Sequence, residues 1–147
     1  MIKIRKARVS DTSQLELLFL ITRRHTFNWE NPDKFKLEDY KQTTAGETVF
    51  VAEDENGMIV GFISVYEQEN PPFIHHFFVA RDHQRKGIGK LLIRSISSWL
   101  PPPYRLKCLA KNKEALVFYQ KLGWIEVSRG TSEDGEYLLL ELPAHQR

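Results

Sequence analysis

Segment 84–90 carries the residues best suited to bind an anion. An apolar run at 73–80 precedes it and a helical pattern follows, so we expect a loop that opens a helix. Backbone N–H groups at such a junction lack helical acceptors, and the helix dipole adds positive potential. Gly87 and Gly89 let an anion approach the backbone without a side-chain clash. The basic residues of the same loop are Arg85, Lys86 and Lys90.

The glycine spacing excludes two common phosphate-binding loops. The P-loop pattern G-x-x-x-x-G-K-[ST] needs its glycines further apart than Gly87 and Gly89. The dinucleotide fingerprint G-x-G-x-x-G needs a glycine where this chain has Leu92. What remains is Q-x-x-G-x-G, starting at Gln84 and preceded by an expected strand.

A second motif follows at residues 112–124, with the pattern N-x-x-A-x-x-F-Y-x-x-x-G-W. Asn112 is a suitable N-cap for a helix that Gly123 would end. The two motifs together resemble [QR]-x-x-G-x-[GA] and N-x-x-A-x-x-F-Y-x-x-x-G-F of the GNAT acetyltransferases, with Trp124 in place of the last Phe. Their order and spacing also match, and the resemblance covers about residues 2–142.

The resemblance implies an acetyl-CoA-dependent N-acetyltransferase that needs no metal. In that family the first motif holds the pyrophosphate of coenzyme A, and the strand before it holds the acetyl and pantetheine arm. Tyr119 is implied as the general acid that protonates the departing thiolate, and Asn112 as a contact of the cofactor arm. The implied cofactor-binding residues are Phe77, Phe78, Val79, Gln84, Arg85, Lys86, Gly87, Ile88, Gly89, Lys90 and Asn112.

A general base must take a proton from the attacking amine. The candidates are His75 and His76, with Glu67 and Glu69 just upstream. Since adjacent residues of a strand point to opposite faces, we expect only one of the two histidines to face the cleft. Many family members place a glutamate nearby or on the fifth strand, where this chain has Lys107, so the base stays open.

The acceptor amine is expected near the first two helices. Phe27 and Trp29 either line a pocket for it or belong to a small aromatic core. Arg23 and Arg24 either hold a carboxylate or are solvated. Cys108 is expected to be a small buried residue rather than a covalent nucleophile, since it lies in the middle of an apolar strand.

The element order that positions these residues is βααβββαβαββ. Asp11 and Gln14 are a plausible N-cap pair for a first helix at about 11–24, and a short second helix is expected within 26–46. The dense apolar run 73–80 predicts a strand buried on both faces. We expect one α/β domain over residues 1–147, with a mixed, mostly antiparallel sheet of about seven strands and about four helices.

Composition narrows the partners. With 21 basic and 19 acidic residues the chain lacks the charge expected of a nucleic-acid-binding protein. No stretch is long and apolar enough to suggest a signal peptide or a membrane span. A cytoplasmic protein with a small-molecule or peptide amine as acceptor is therefore expected, and a homodimer is left open. The alternative is a non-catalytic acyl-CoA-binding module of the same fold.

Overall fold

The computed structural model describes residues 1–144, in which seven strands form one sheet of order β1-β2-β3-β4-β5-β7-β6. Every neighbouring pair is antiparallel except β4 with β5. The strands are β1 Lys3–Lys6, β2 Thr48–Glu53, β3 Ile59–Tyr66, β4 Phe73–Val79, β5 Tyr104–Leu109, β6 Ile125–Ser132 and β7 Gly135–Leu142. The helices are α1 Thr12–Thr26, α2 Asp39–Thr44, α3 Ile88–Ile96 and α4 Lys113–Lys121, with three short 3-10 turns. The predicted mixed sheet with four helices is confirmed.

Each face of the sheet has its own apolar core. On one face α1 and α2 contribute Phe19 and Tyr40, which pack on Phe62 of β3. On the other face α3 contributes Leu92 and α4 contributes Tyr119 to a larger cluster. Alternation along the strands sends successive side chains to opposite cores.

The start of α1 differs from the expected N-cap pair. The Asp11 carboxylate makes no cap but accepts two hydrogen bonds from Arg5, at 2.7 and 3.0 Å, and one from the Arg8 N–H. The Arg5 guanidinium lowers the pKa of this carboxyl below its usual value. Gln14 accepts from the N–H of Ile59 in β3 instead. Asp11 therefore ties the start of α1 to the edge strand β1, and Gln14 ties it to β3.

The sheet opens between β4 and β5. These strands pair only at Phe73 and Arg105, and the Arg105 N–H donates to Pro72 O at 3.0 Å. Beyond this point they diverge, so the remaining edge of β4 has no strand partner on that side. The prediction that 73–80 is buried on both faces is wrong, because most of its residues are only partly buried along this opening.

Candidate active site

A cleft of about 1680 Å³ occupies the opening between β4 and β5. It is lined on one face of the sheet by Phe19 and Arg23 of α1, and on the other by Gly89 of α3 and Tyr119 of α4. The cleft thus passes through the sheet and brings both sequence motifs to one space.

Unpaired backbone donors gather at the end of the cleft where α3 begins. The first N–H of the helix with a backbone acceptor is that of Leu91, which donates to Gly87 O at 3.0 Å. The six preceding N–H groups, residues 85–90, have no acceptor within residues 1–144. Arg85 and Gly87 have positive φ angles of 65° and 81°, which curl the loop around these donors. This end of the cleft is therefore suited to bind an anion.

The two glycines of the loop serve different purposes. Gly87 adopts the left-handed backbone that a side chain disfavours, and its missing Cβ would point into open space. A Cβ on Gly89 would lie 3.1 Å from the Phe77 ring and 3.2 Å from the Phe118 ring. The small size of Gly89 lets α3 pack against these two rings, and the residue also lines the cleft.

Not every predicted cofactor residue of the loop reaches the cleft with its side chain. The Gln84 amide donates to Val79 O at 3.0 Å and so fastens the loop to the end of β4. Ile88 is buried in the core, and the exposed Lys86 side chain does not line the cleft. Those that line it are Phe77, Phe78, Val79, Gln84, Arg85, Gly87, Gly89, Lys90 and Asn112.

Tyr119 is brought to the cleft wall by α4. Asn112 caps this helix through its Oδ1, which accepts from the Ala115 N–H at 3.3 Å. Tyr119 packs against Phe77, Phe118 and Trp124 with ring centroids 5.4–6.2 Å apart. Burial raises the pKa of its hydroxyl far above the usual value, and nearby Cys108 raises it further. The hydroxyl is therefore protonated at neutral pH and makes no hydrogen bond within the described chain.

Cys108 also lines the cleft but is only 6% exposed. Burial raises the pKa of its thiol to about 12. Since the thiolate is the nucleophilic form, this cysteine is a poor acyl acceptor at neutral pH. Its burial agrees with the expectation of a small buried residue.

A β-bulge places both histidines at the cleft. Ser64 of β3 pairs with His76 and Val65 pairs with Ile74, which leaves His75 without a partner on β3. The extra residue resets the alternation of side chains. Both imidazoles therefore line the cleft, and the expectation that only one could face it is wrong.

The two imidazoles have different surroundings. His76 packs edge-on against the Phe19 ring at 4.9 Å, and burial lowers its pKa to about 4, with smaller contributions from His75 and Arg23. His75 keeps about a third of its side chain exposed, and its Nδ1 lies 2.5 Å from a carboxylate oxygen of Glu47. Only His75 thus combines access to the cleft with a charged partner.

The remaining base candidates lie elsewhere. Glu67 accepts a hydrogen bond from the Thr48 hydroxyl at 2.8 Å, and neither Glu67 nor Glu69 lines the cleft.

Comparison with known families decides what kind of protein has this cleft. The model of the acetyltransferase (GNAT) domain matches residues 45–126, more than half of the chain. The chain belongs to the GNAT acetyltransferase family. No curated protein matches it significantly.

Solved GNAT-like structures share the fold at low sequence identity. The apo form of YjaB from Escherichia coli superposes with a TM-score of 0.79 and 21% identity over 99% of both chains. PaiA N-acetyltransferase from Thermoplasma acidophilum, in complex with coenzyme A, gives 0.78 and 18%, again over 99% of both. Spermidine N-acetyltransferase from Vibrio cholerae, in complex with CoA and spermine, gives 0.71 and 19% over 95% of this chain and 94% of that one.

The other end of this GNAT cleft is lined by the residues after α1. Phe27 and Trp29 both line it, with ring centroids 5.6 Å apart, and Phe27 also meets the buried Phe35 at 6.2 Å. They therefore form an aromatic cluster and line the cleft at once, so the two alternatives left open by the sequence are not exclusive.

Arg23 is not solvated. Its guanidinium lies 3.9 Å from the Phe19 ring centroid and 4.7 Å from that of Phe35, and its Nη2 donates to Asp39 at 2.9 Å. Arg24 instead donates to backbone carbonyls of Pro32 and Phe35, which holds the chain after α1 in place.

The sequence does not predict that Glu47 belongs to the site. It lies 28 residues before His75 and belongs to no motif. Only the pairing of β2 with β3 and of β3 with β4 brings it to the histidine. No local signal in the sequence could have revealed this contact.

Within residues 1–144, no three His, Cys, Asp or Glu side chains are close enough together to hold a metal ion. None of the described helices is long and apolar enough to cross a membrane.

Proposed function

We propose that this chain is an acetyl-CoA-dependent N-acetyltransferase that moves an acetyl group directly to a primary amine of a small molecule or peptide. The observation that carries the proposal is the row of free N–H donors at residues 85–90, which opens onto the same cleft as Tyr119 and His75. A pyrophosphate fits such a row of donors at a helix start.

The open edge of β4 and the loop would hold the two ends of coenzyme A. The N–H groups of 85–90, with Arg85 and Lys90 beside them, would bind its pyrophosphate. The unpaired β4 backbone near Phe77 to Val79 would hold the acyl arm and donate to the thioester oxygen as it gains charge. When bound, acetyl-CoA supplies an acetyl group activated as a thioester.

His75 and Tyr119 handle the two protons of the transfer. The amine nitrogen bonds to the acetyl carbon and passes a proton to His75, while the carbon–sulfur bond breaks. Tyr119, which is protonated at neutral pH, donates its proton to the departing sulfur and regains a proton from solvent through the cleft. The high thiol pKa of Cys108 supports this direct attack over a route through an acetylated cysteine.

Carboxylates at the acceptor end of the cleft are already engaged. Asp39 is bound by Arg23, and Lys34 lies between Glu30 and Asp134. A polyamine needs free carboxylates to hold its additional ammonium groups. Although two of the similar structures are named spermidine N-acetyltransferases, this arrangement favours a different amine.

Of the six lysines that line the cleft, only Lys34 has a carboxylate partner within the described chain, and two of the others pack over aromatic rings. Lys107 lies over the Tyr137 ring at 4.9 Å, and Lys111 lies over Trp29 at 5.7 Å. Their positive charges repel a polycation and favour an amine whose remainder is neutral or anionic.

The proposal is tested with acetyl-CoA and a panel of amines, read by release of the free thiol. The panel should pair amines that carry a carboxylate with their amides, and it should include spermidine. We expect turnover, with spermidine among the poorer acceptors. Binding of acetyl-CoA by calorimetry without turnover of any amine would indicate the non-catalytic binding module instead.

A further inference from the structure

We infer that Glu47 is a positioning residue for His75: a hydrogen-bonded chain from Ser64 through Glu47 to His75 fixes the imidazole tautomer that can accept a proton at Nε2. The inference rests on the proposed function, because it explains how His75 would serve as the base.

The chain of contacts begins in the buried interior, at Ser64 of β3, and ends at the cleft, at His75. Glu47 has only 4% of its side chain exposed, and Ser64 is fully buried. One carboxylate oxygen of Glu47 accepts a hydrogen bond from the Ser64 hydroxyl, and the other lies 2.5 Å from His75 Nδ1. A carboxylate buried to this degree needs partners for both oxygens, and here it has them.

The chemistry of the two groups decides where the proton lies. An ionised carboxylate can only accept hydrogen bonds, so Nδ1 of His75 must carry the hydrogen. In the neutral ring, Nε2 then holds the free electron pair. Nε2 is thus the only atom of His75 able to take a proton from an amine.

Ring packing keeps that atom in place. His75 stacks on Tyr66 with centroids 5.6 Å apart and an angle of 14° between the planes, and the Phe73 ring meets it edge-on at 5.0 Å. The imidazole also lines a recess of about 470 Å³ that it shares with His76 and Lys107. With Nδ1 bound and both neighbouring rings in contact, the imidazole has little freedom to rotate.

The proton of the attacking amine moves to Nε2 of His75. The nitrogen lone pair forms the bond to the acetyl carbon, and the electron pair of the broken N–H bond stays on nitrogen. The imidazolium formed carries a positive charge directly beside the Glu47 carboxylate, which stabilises it. The proton then leaves to solvent through the exposed part of the ring.

The tautomer can be measured directly by ¹⁵N NMR of the histidine rings at a pH where His75 is neutral. In the wild-type protein we expect protonated Nδ1 and unprotonated Nε2. In Glu47→Gln, the amide can donate to Nδ1 and so move the hydrogen to Nε2. We then expect kcat to fall about 10²-fold or more, with acetyl-CoA affinity unchanged.

Two further variants serve as controls. Glu67→Gln removes a carboxylate that accepts from Thr48, the residue next to Glu47, but lies outside the cleft; it should leave the His75 spectrum and kcat unchanged. Glu47→Asp keeps the acceptor and should restore the wild-type tautomer and part of kcat.

The outcomes separate the role of Glu47 from the proposed acetyltransferase function. A wild-type His75 with its hydrogen on Nε2 overturns the inference, even if Glu47→Gln fails to fold. Unchanged kcat in Glu47→Gln also overturns it. The expected tautomer in a protein that turns over no amine would contradict the proposed function, while the contact itself would stand as structural.

Discussion

Burial sets the pKa values of two side chains in the cleft, Tyr119 and His76. Burial raises the pKa of Tyr119, which keeps its hydroxyl protonated, and it lowers the pKa of His76, which keeps that ring neutral. Both pKa shifts arise because burial disfavours the charged form of the group. Each has a consequence that can be measured on a single substitution.

For Tyr119, the expected consequence is catalytic. Tyr119→Phe keeps the ring packing against Phe77 and Trp124 and removes only the hydroxyl. We expect kcat to fall about 10²–10⁴-fold, with the acetyl-CoA dissociation constant nearly unchanged. Steady-state kinetics with calorimetry measures both quantities. Wild-type kcat in this variant would show that Tyr119 is a packing residue and that water protonates the sulfur.

For His76, the expected consequence is a dependence of stability on pH. Above about pH 6.5 the ring is neutral in both the folded and the unfolded chain, and it imposes no cost. As the pH falls from about 6.5 towards 4, the unfolded chain binds a proton that the folded protein excludes. Folding should therefore lose up to about 3 kcal/mol of stability through this ring.

His76→Gln removes this titration. Urea unfolding of both proteins between pH 7.5 and pH 4.5 should show that the free energy of unfolding falls less steeply with pH in the variant than in the wild type. Parallel stability curves would contradict the buried neutral state of His76.

At the scale of the elements, the loop 84–90 depends on backbone conformation more than on side chains. Gly87 has a φ of 81° and no atom near its missing Cβ, and the same holds for Gly57 in the turn between β2 and β3. Valine at either position should therefore impose a similar backbone strain, roughly 1–2 kcal/mol or more.

These two glycines make a matched pair for testing the anion site. We expect Gly87→Val and Gly57→Val to lower the melting temperature by similar amounts. Only Gly87→Val should also lose the stabilisation that added acetyl-CoA gives. A thermal-shift titration separates the two effects, and an undiminished shift in Gly87→Val would place the pyrophosphate elsewhere.

Local patterns predicted most elements correctly because each is a property of neighbouring residues. The Asn112 cap and the positive φ of Gly123 both follow from their immediate surroundings. The bulge at His75 did not follow, because it depends on how β3 and β4 align. The packing of Gly89 against Phe118 likewise depends on α4, which begins 24 residues after Gly89.

At the scale of the whole molecule, the family was predictable and the acceptor was not. Two short motifs indicated the family, and with it the fold and the proposed cofactor side of the cleft, since both are continuous in sequence. The acceptor side is assembled from α1, the residues after it, β5 and the β6–β7 turn, with Lys34 reaching Asp134. Contacts across a hundred residues leave no local pattern.

The gap in the sheet is closed at one end, where the backbone pair Phe73–Arg105 joins β4 to β5. From there the strands diverge, and the cleft is lined by residues from both faces of the sheet. Acetyl-CoA and the acceptor amine of the proposed transfer can therefore enter from opposite faces of the sheet, and both can be bound at the same time.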